Sequence, residues 1–90
     1  MRFCEQLNEY ITRLDCRGKE LAEAAGLSAP SLSRYRTGER TPGRDSAVLT
    51  ALSDALADMA KAKALPDMDA DTLYSAFLQC DEYAGRASMR

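Results

Sequence analysis

Few side chains in this chain can do chemistry, and their types narrow it at once. There is no histidine among 90 residues, which removes the commonest general base and the commonest metal ligand. Cysteines stand at 4, 16 and 80, an odd number with no paired spacing. That pattern fits reduced thiols in a core better than a disulfide framework or a zinc site. Asp67, Asp69 and Asp71 alternate as calcium ligands do, but the sixth loop position lacks glycine and the twelfth lacks glutamate, so they read as a solvated linker. No glycine-rich phosphate loop and no recognisable carboxylate pair occurs. An enzyme is therefore not expected, nor a cofactor, nor a metal. What remains is cationic. Between Ser28 and Arg44 lie Arg34, Arg36, Arg40 and Arg44 against one acid, Glu39. Guanidinium groups pair with phosphate oxygens and with guanine edges; the bland alternative is a solvated surface.

The total charge does not advertise such a partner, because it is −2. Its distribution does. From Asp45 to Arg90 eight acids face four basic residues, so a basic segment adjoins an acidic half, and one face can meet phosphate while the other stays acidic. Ninety residues support one small core. With 46% hydrophobic and 29% charged residues, the chain sits in the ordinary soluble range. No apolar run approaches the roughly 18–20 residues of a membrane span. The first turns carry Arg2, Glu5 and Glu9 in place of a signal peptide's apolar stretch. A cytoplasmic location is expected.

The elements that must position these cations all read as helices. Phe3, Leu7, Tyr10, Ile11 and Leu14 share one helical face and predict a first helix over about 3–14. Asp15–Gly18 breaks it, with Cys16 a small buried side chain. The second helix runs from Gly18 or Lys19 to Ala25, with Leu21, Ala22 and Ala25 inward. Arg17 stands where a capping side chain is preferred, and Asp15 is the candidate to compensate. Gly26 suits the left-handed conformation that ends a helix. Ser28 caps a third helix with Ala29 and Pro30 in its first turn. Leu32 and Tyr35 face inward; Ser31, Arg34 and Arg36 face outward, and Gly38 terminates it. After the loop Glu39–Gly43, Ser46 caps a fourth helix to about Lys63, striped by Leu49, Leu52, Leu56 and Met59. A fifth is expected from Asp71 to Tyr83, carrying Leu73, Phe77 and Cys80. No strand or internal repeat is evident.

A major groove about 12 Å wide accepts one helix whose outer face is short and polar near its N-terminus, braced by a second helix. The pieces Glu20-Leu21-Ala22, Gly26-Leu27-Ser28, Leu32-Ser33-Arg34-Tyr35 and Gly38-Glu39-Arg40-Thr41-Pro42 together resemble the helix-turn-helix of the Cro and lambda-repressor-like (XRE-type) family. The resemblance covers residues 16–42 well and extends, with the first and fourth helices in place, to about residue 60. It implies an all-α, five-helix lambda-repressor-like fold with the helix-turn-helix at helices two and three. It also implies base-facing positions at Ala29, Pro30, Ser31 and Arg34. The first two are polar in many relatives, but here they can offer only apolar contact, for instance with a thymine methyl. Reading then falls to Ser31 and Arg34, with Arg34 on either a guanine or a phosphate. Lys19, Arg36, Thr37, Arg40 and Arg44 would approach phosphate, Arg36 being either such a contact or simply solvated.

The expected organisation is a DNA-binding core over 1–64, a C-terminal helix over 65–84 that could join two copies, and a frayed tail over 85–90. The expected function is sequence-specific double-stranded DNA binding by a transcriptional regulator, a repressor, working as a homodimer without a small-molecule ligand. The alternative keeps the fold without the DNA: a protein-interaction or adaptor module using the fourth and fifth helices.

Overall fold

The computed structural model describes residues 1–43, 46–65 and 68–83, and over them the chain is helical with no strand. The helices are α1 (Phe3–Leu14), α2 (Gly18–Ala25), α3 (Ala29–Thr37), α4 (Ala47–Ala62) and α5 (Ala70–Leu78), and a further helical stretch begins at residue 81. Arg44, expected to approach phosphate, lies outside the described residues, as does the tail over 85–90. No described helix is long and apolar enough to cross a membrane.

Local chemistry sets the helix ends. Ser28 accepts from Ser31 N–H at 3.2 Å, and Ser46 accepts from Leu49 N–H at 3.3 Å, so both serines cap as expected. Asp69 belongs to the same set: its carboxylate accepts from Thr72 N–H at 2.7 Å and is held below the usual carboxylate range by that bond. The three-way alternation at 67–71 therefore contains a helix cap. Asp15 does not compensate for Arg17. It sits in the left-handed region at φ 50° and closes α1, while Glu20 reaches back to Arg17 N–H at 3.0 Å. α2 is thus supported from inside its own first turn.

Three helices stop in one way. Cys16 N–H donates to Ile11 O, Leu27 N–H to Ala22 O, and Leu65 N–H to Ala60 O, each bond spanning five residues. The residue before each donor, Asp15, Gly26 and Ala64, has positive φ. This is the hydrogen-bond pattern of a Schellman stop, and Leu27 and Leu65 then fold back onto the core, as the motif's hydrophobic contact requires.

One core runs through every helix. Phe3, Leu7, Leu14, Leu21, Leu49, Leu52, Leu56 and Phe77 are fully buried. Phe77 from α5 lies against Phe3 at 4.9 Å and edge-on to Tyr10 at 5.5 Å between ring centroids. The apolar stripe of α5 is spent inside the chain, so α5 and α1–α4 share a single core. Burying aromatic rings of this size is among the largest contributions a small domain can make.

α5 is shorter than its apolar spacing predicts: it ends at Leu78, and its C-cap is Gln79. The chain turns there, and 81–83 reach the start of α1 and the loop after α3. Asp81 N–H donates to Met1 O at 2.9 Å. Glu82 accepts from Phe3 N–H at 2.8 Å, serving one of the amides that the start of α1 leaves without a helical partner. Tyr83 O–H donates to Pro42 O at 2.7 Å and its ring meets Phe3 edge-on. Periodicity registers Cys80 and Tyr83 as buried but carries no sign of these distant partners.

Candidate nucleic-acid interface

The cations lie on or beside α3, whose orientation follows from its two buried residues. Leu32 and Tyr35 turn one arc into the core. The opposite arc carries Pro30, Ser33, Arg34 and Thr37 by helical period, and all four are exposed. Ser31 sits at the edge of that arc, half-buried. Its Oγ is 2.9 Å from Ser28 Oγ, which donates to it, so Ser31 keeps its own proton for an outside acceptor. Thr37 differs, because its hydroxyl donates to Arg34 O at 3.2 Å. A phosphate can only accept, so a bond from Thr37 to phosphate requires giving up that internal one.

Ala29, Ser33, Arg36 and Thr37 line one side of a cleft of about 530 Å³, and Gly18, Lys19 and Asn8 help to form the rest. The cleft gathers Lys19, Arg36, Thr37 and Ala29 from the sequence-predicted set. Arg34 and Pro30 belong to the outer arc beside it. Arg40 is exposed in the following loop, with its N–H on Arg34 O at 3.3 Å.

Arg36 is not simply solvated. Its Nε donates to Asn8 Oδ1 at 2.8 Å and Asn8 Nδ2 donates to Arg36 O at 2.9 Å. This reciprocal pair clamps α3 to α1. Its Nη1 lies so near α2 that a Cβ on Gly18 would come within 2.8 Å of it. A guanidinium there meets the positive end of the α2 dipole, the unfavourable end for a cation. Lys19 adds a second positive charge, and Arg17 has no acceptor to offer the first-turn amides. A bound anion would relieve all three.

Two contributors escape a reading by motif. Asn8 is an uncharged polar residue on α1 beside the charges Glu5, Glu9 and Arg13, and its poor helix propensity is the signal available. Ser33 shares the outer arc with Arg34 by simple period. The thiols are not part of the site: burial pushes Cys16 up and Cys80 up to about 11, the opposite of activation. Among the described residues no group of side chains could hold a metal ion. Comparison with protein-family models, curated proteins and solved structures finds no match to this chain.

Proposed function

We propose that this chain is a sequence-specific double-stranded-DNA-binding protein, a helix-turn-helix regulator that represses transcription as a homodimer. The reading rests on one observation above the others. α3 turns an exposed arc of Pro30, Ser33 and Arg34 outward beside a cleft where Lys19, Arg36 and the start of α2 concentrate positive charge. Phosphate in the cleft would set the register, and the arc would read bases. The resemblance of residues 16–42 to the lambda-repressor-like helix-turn-helix supports the same assignment. In this scheme Arg34 reads or clamps, Ser31 and Ser33 donate, and Ala29 and Pro30 offer apolar contact only.

The acidic remainder of the surface and the apolar Ala29-Pro30 pair favour the adaptor reading, in which α4 and α5 carry the partner. Selection of bound sites from a random duplex pool separates the two. An enriched half-site is expected, with affinity falling in salt at a log–log slope of about −0.9 per neutralised phosphate. No enrichment, together with binding indifferent to salt, would leave the adaptor.

A further inference from the structure

The loop after α3 carries Arg40 and is fixed to the rest of the chain at three points. At its start Gly38 lies against α1, where a Cβ would come within 2.8 Å of Arg2 Nη2 and 3.3 Å of Cys4 Sγ. In its middle Arg40 N–H donates to Arg34 O at 3.3 Å. At its end Pro42 is buried, and its carbonyl accepts from Tyr83 O–H at 2.7 Å. That last bond is itself buried and spans 41 residues. Between these ties the Arg40 side chain is exposed and joins no ion pair among the described residues.

Tyr83 reaches Pro42 from a rigid base. Its ring is buried and edge-on to Phe3, 6.4 Å between centroids, and the residue before it, Glu82, accepts from Phe3 N–H. A phenylalanine ring would fill the same space, so the hydroxyl is there for its hydrogen bond. An arginine on a loop pinned at one end must give up backbone freedom each time it meets a partner. Pinned on both sides, Arg40 has lost that freedom in the unbound protein. We propose that Tyr83 is a positioning residue for DNA binding, one that touches no DNA itself but holds Pro42 so that Arg40 meets a backbone phosphate. The proposal rests on the DNA-binding reading above and deepens it, adding to the interface a residue that lies far beyond the helix-turn-helix in sequence.

Binding to a random-sequence duplex, titrated with salt, tests it on wild type, Tyr83→Phe, Arg40→Ala and the double variant. Tyr83→Phe keeps the ring and should weaken binding roughly three- to tenfold, with the log–log salt slope smaller by up to about 0.9. Arg40→Ala should do at least as much, and the double variant should lose no more than Arg40→Ala alone. Phe77→Leu serves as the stability control, because it should lower the melting temperature and leave affinity and slope unchanged. In the wild type, duplex should slow amide hydrogen exchange at Arg40, a readout that needs no substitution. Unchanged binding by Tyr83→Phe or by Arg40→Ala overturns the proposal. So do losses that add in the double variant, an equal loss from Phe77→Leu, or exchange at Arg40 that ignores duplex. A wild type that binds no duplex even at low salt overturns the DNA-binding reading itself, and this role with it, whereas the other failures leave that reading standing.

Discussion

Arg34 and Arg36 are two residues apart and do different work. Arg34 is exposed on the outer arc, whereas Arg36 is tied to Asn8 through two hydrogen bonds. Arg34→Ala should therefore leave the melting temperature unchanged and cost roughly 1–3 kcal/mol on a preferred duplex, with relaxed discrimination at one base pair. An equal loss on every duplex would make Arg34 a phosphate contact. Asn8→Ala should behave in the opposite way. It removes both clamp bonds and should lower stability by about 1–2 kcal/mol while the salt slope of binding stays put. If Arg36 also meets phosphate, Arg36→Ala will reduce that slope by about 1 as well, which thermal melts and salt titrations on the same sample would separate. The guanidinium of Arg36 was visible in the sequence as a charge. Its clamp was not, because Asn8 is 28 positions away and only packing brings them together.

At the scale of elements, the helices were readable because their ends are written in local chemistry. Serine caps, Gly26 and Gly38 act within a few residues of themselves. Where an end depends on a less expressive residue, the sequence was mute: Ala64 closes α4 at φ 56° although alanine has no preference for that region. Three substitutions follow from this. Gly26→Ala meets open space and should cost about 1 kcal/mol for the left-handed backbone alone. Gly38→Ala should cost clearly more, because its Cβ would come within 2.8 Å of Arg2 Nη2 and 3.3 Å of Cys4 Sγ. Ala64→Gly should raise stability by a fraction of that amount, since relief of φ strain exceeds the added chain entropy. Chemical denaturation of the three variants would order them; an Ala64→Gly variant less stable than wild type would contradict the strain account. The end of α5 was misread for the same reason, since its stop serves contacts some 79 residues distant in sequence.

At the scale of the molecule, the chain behaves as one unit. A fragment of residues 1–64 lacks Phe77, Cys80 and Tyr83, leaving Phe3 and Tyr10 without their ring partners. It should show no cooperative unfolding transition by circular dichroism, and a sharp one would mean that α5 is dispensable to the core. Stability should also respond to alkali. The Cys80 thiol, ordinarily near 9.0, is pushed up to about 11 by burial. Between those values the unfolded chain has lost a proton that the folded chain retains, so stability falls as pH rises through that window. Tyr10, shifted up by burial as well, acts in the same direction. Cys80→Ala should flatten the fall without abolishing it, measured as the urea midpoint at pH 8 and pH 10.5.

The contacts of 81–83 with Phe3 and Pro42 also bear on how the protein is made. Synthesis proceeds from the N-terminus, so α1 emerges well before the carboxylate that serves Phe3 N–H. Glu82 and Tyr83 close loops of about eighty and forty residues, and such long closures form late because their entropy is lost before any contact rewards it. The loop after α3 is therefore synthesised well before Tyr83 can hold it at Pro42. On the ribosome α3 can already pack on α1 and α2 and take its Asn8 clamp, whereas the loop after it and the start of α1 would wait for residues 81–83. A chain stalled short of that point would carry the motif without those two ties.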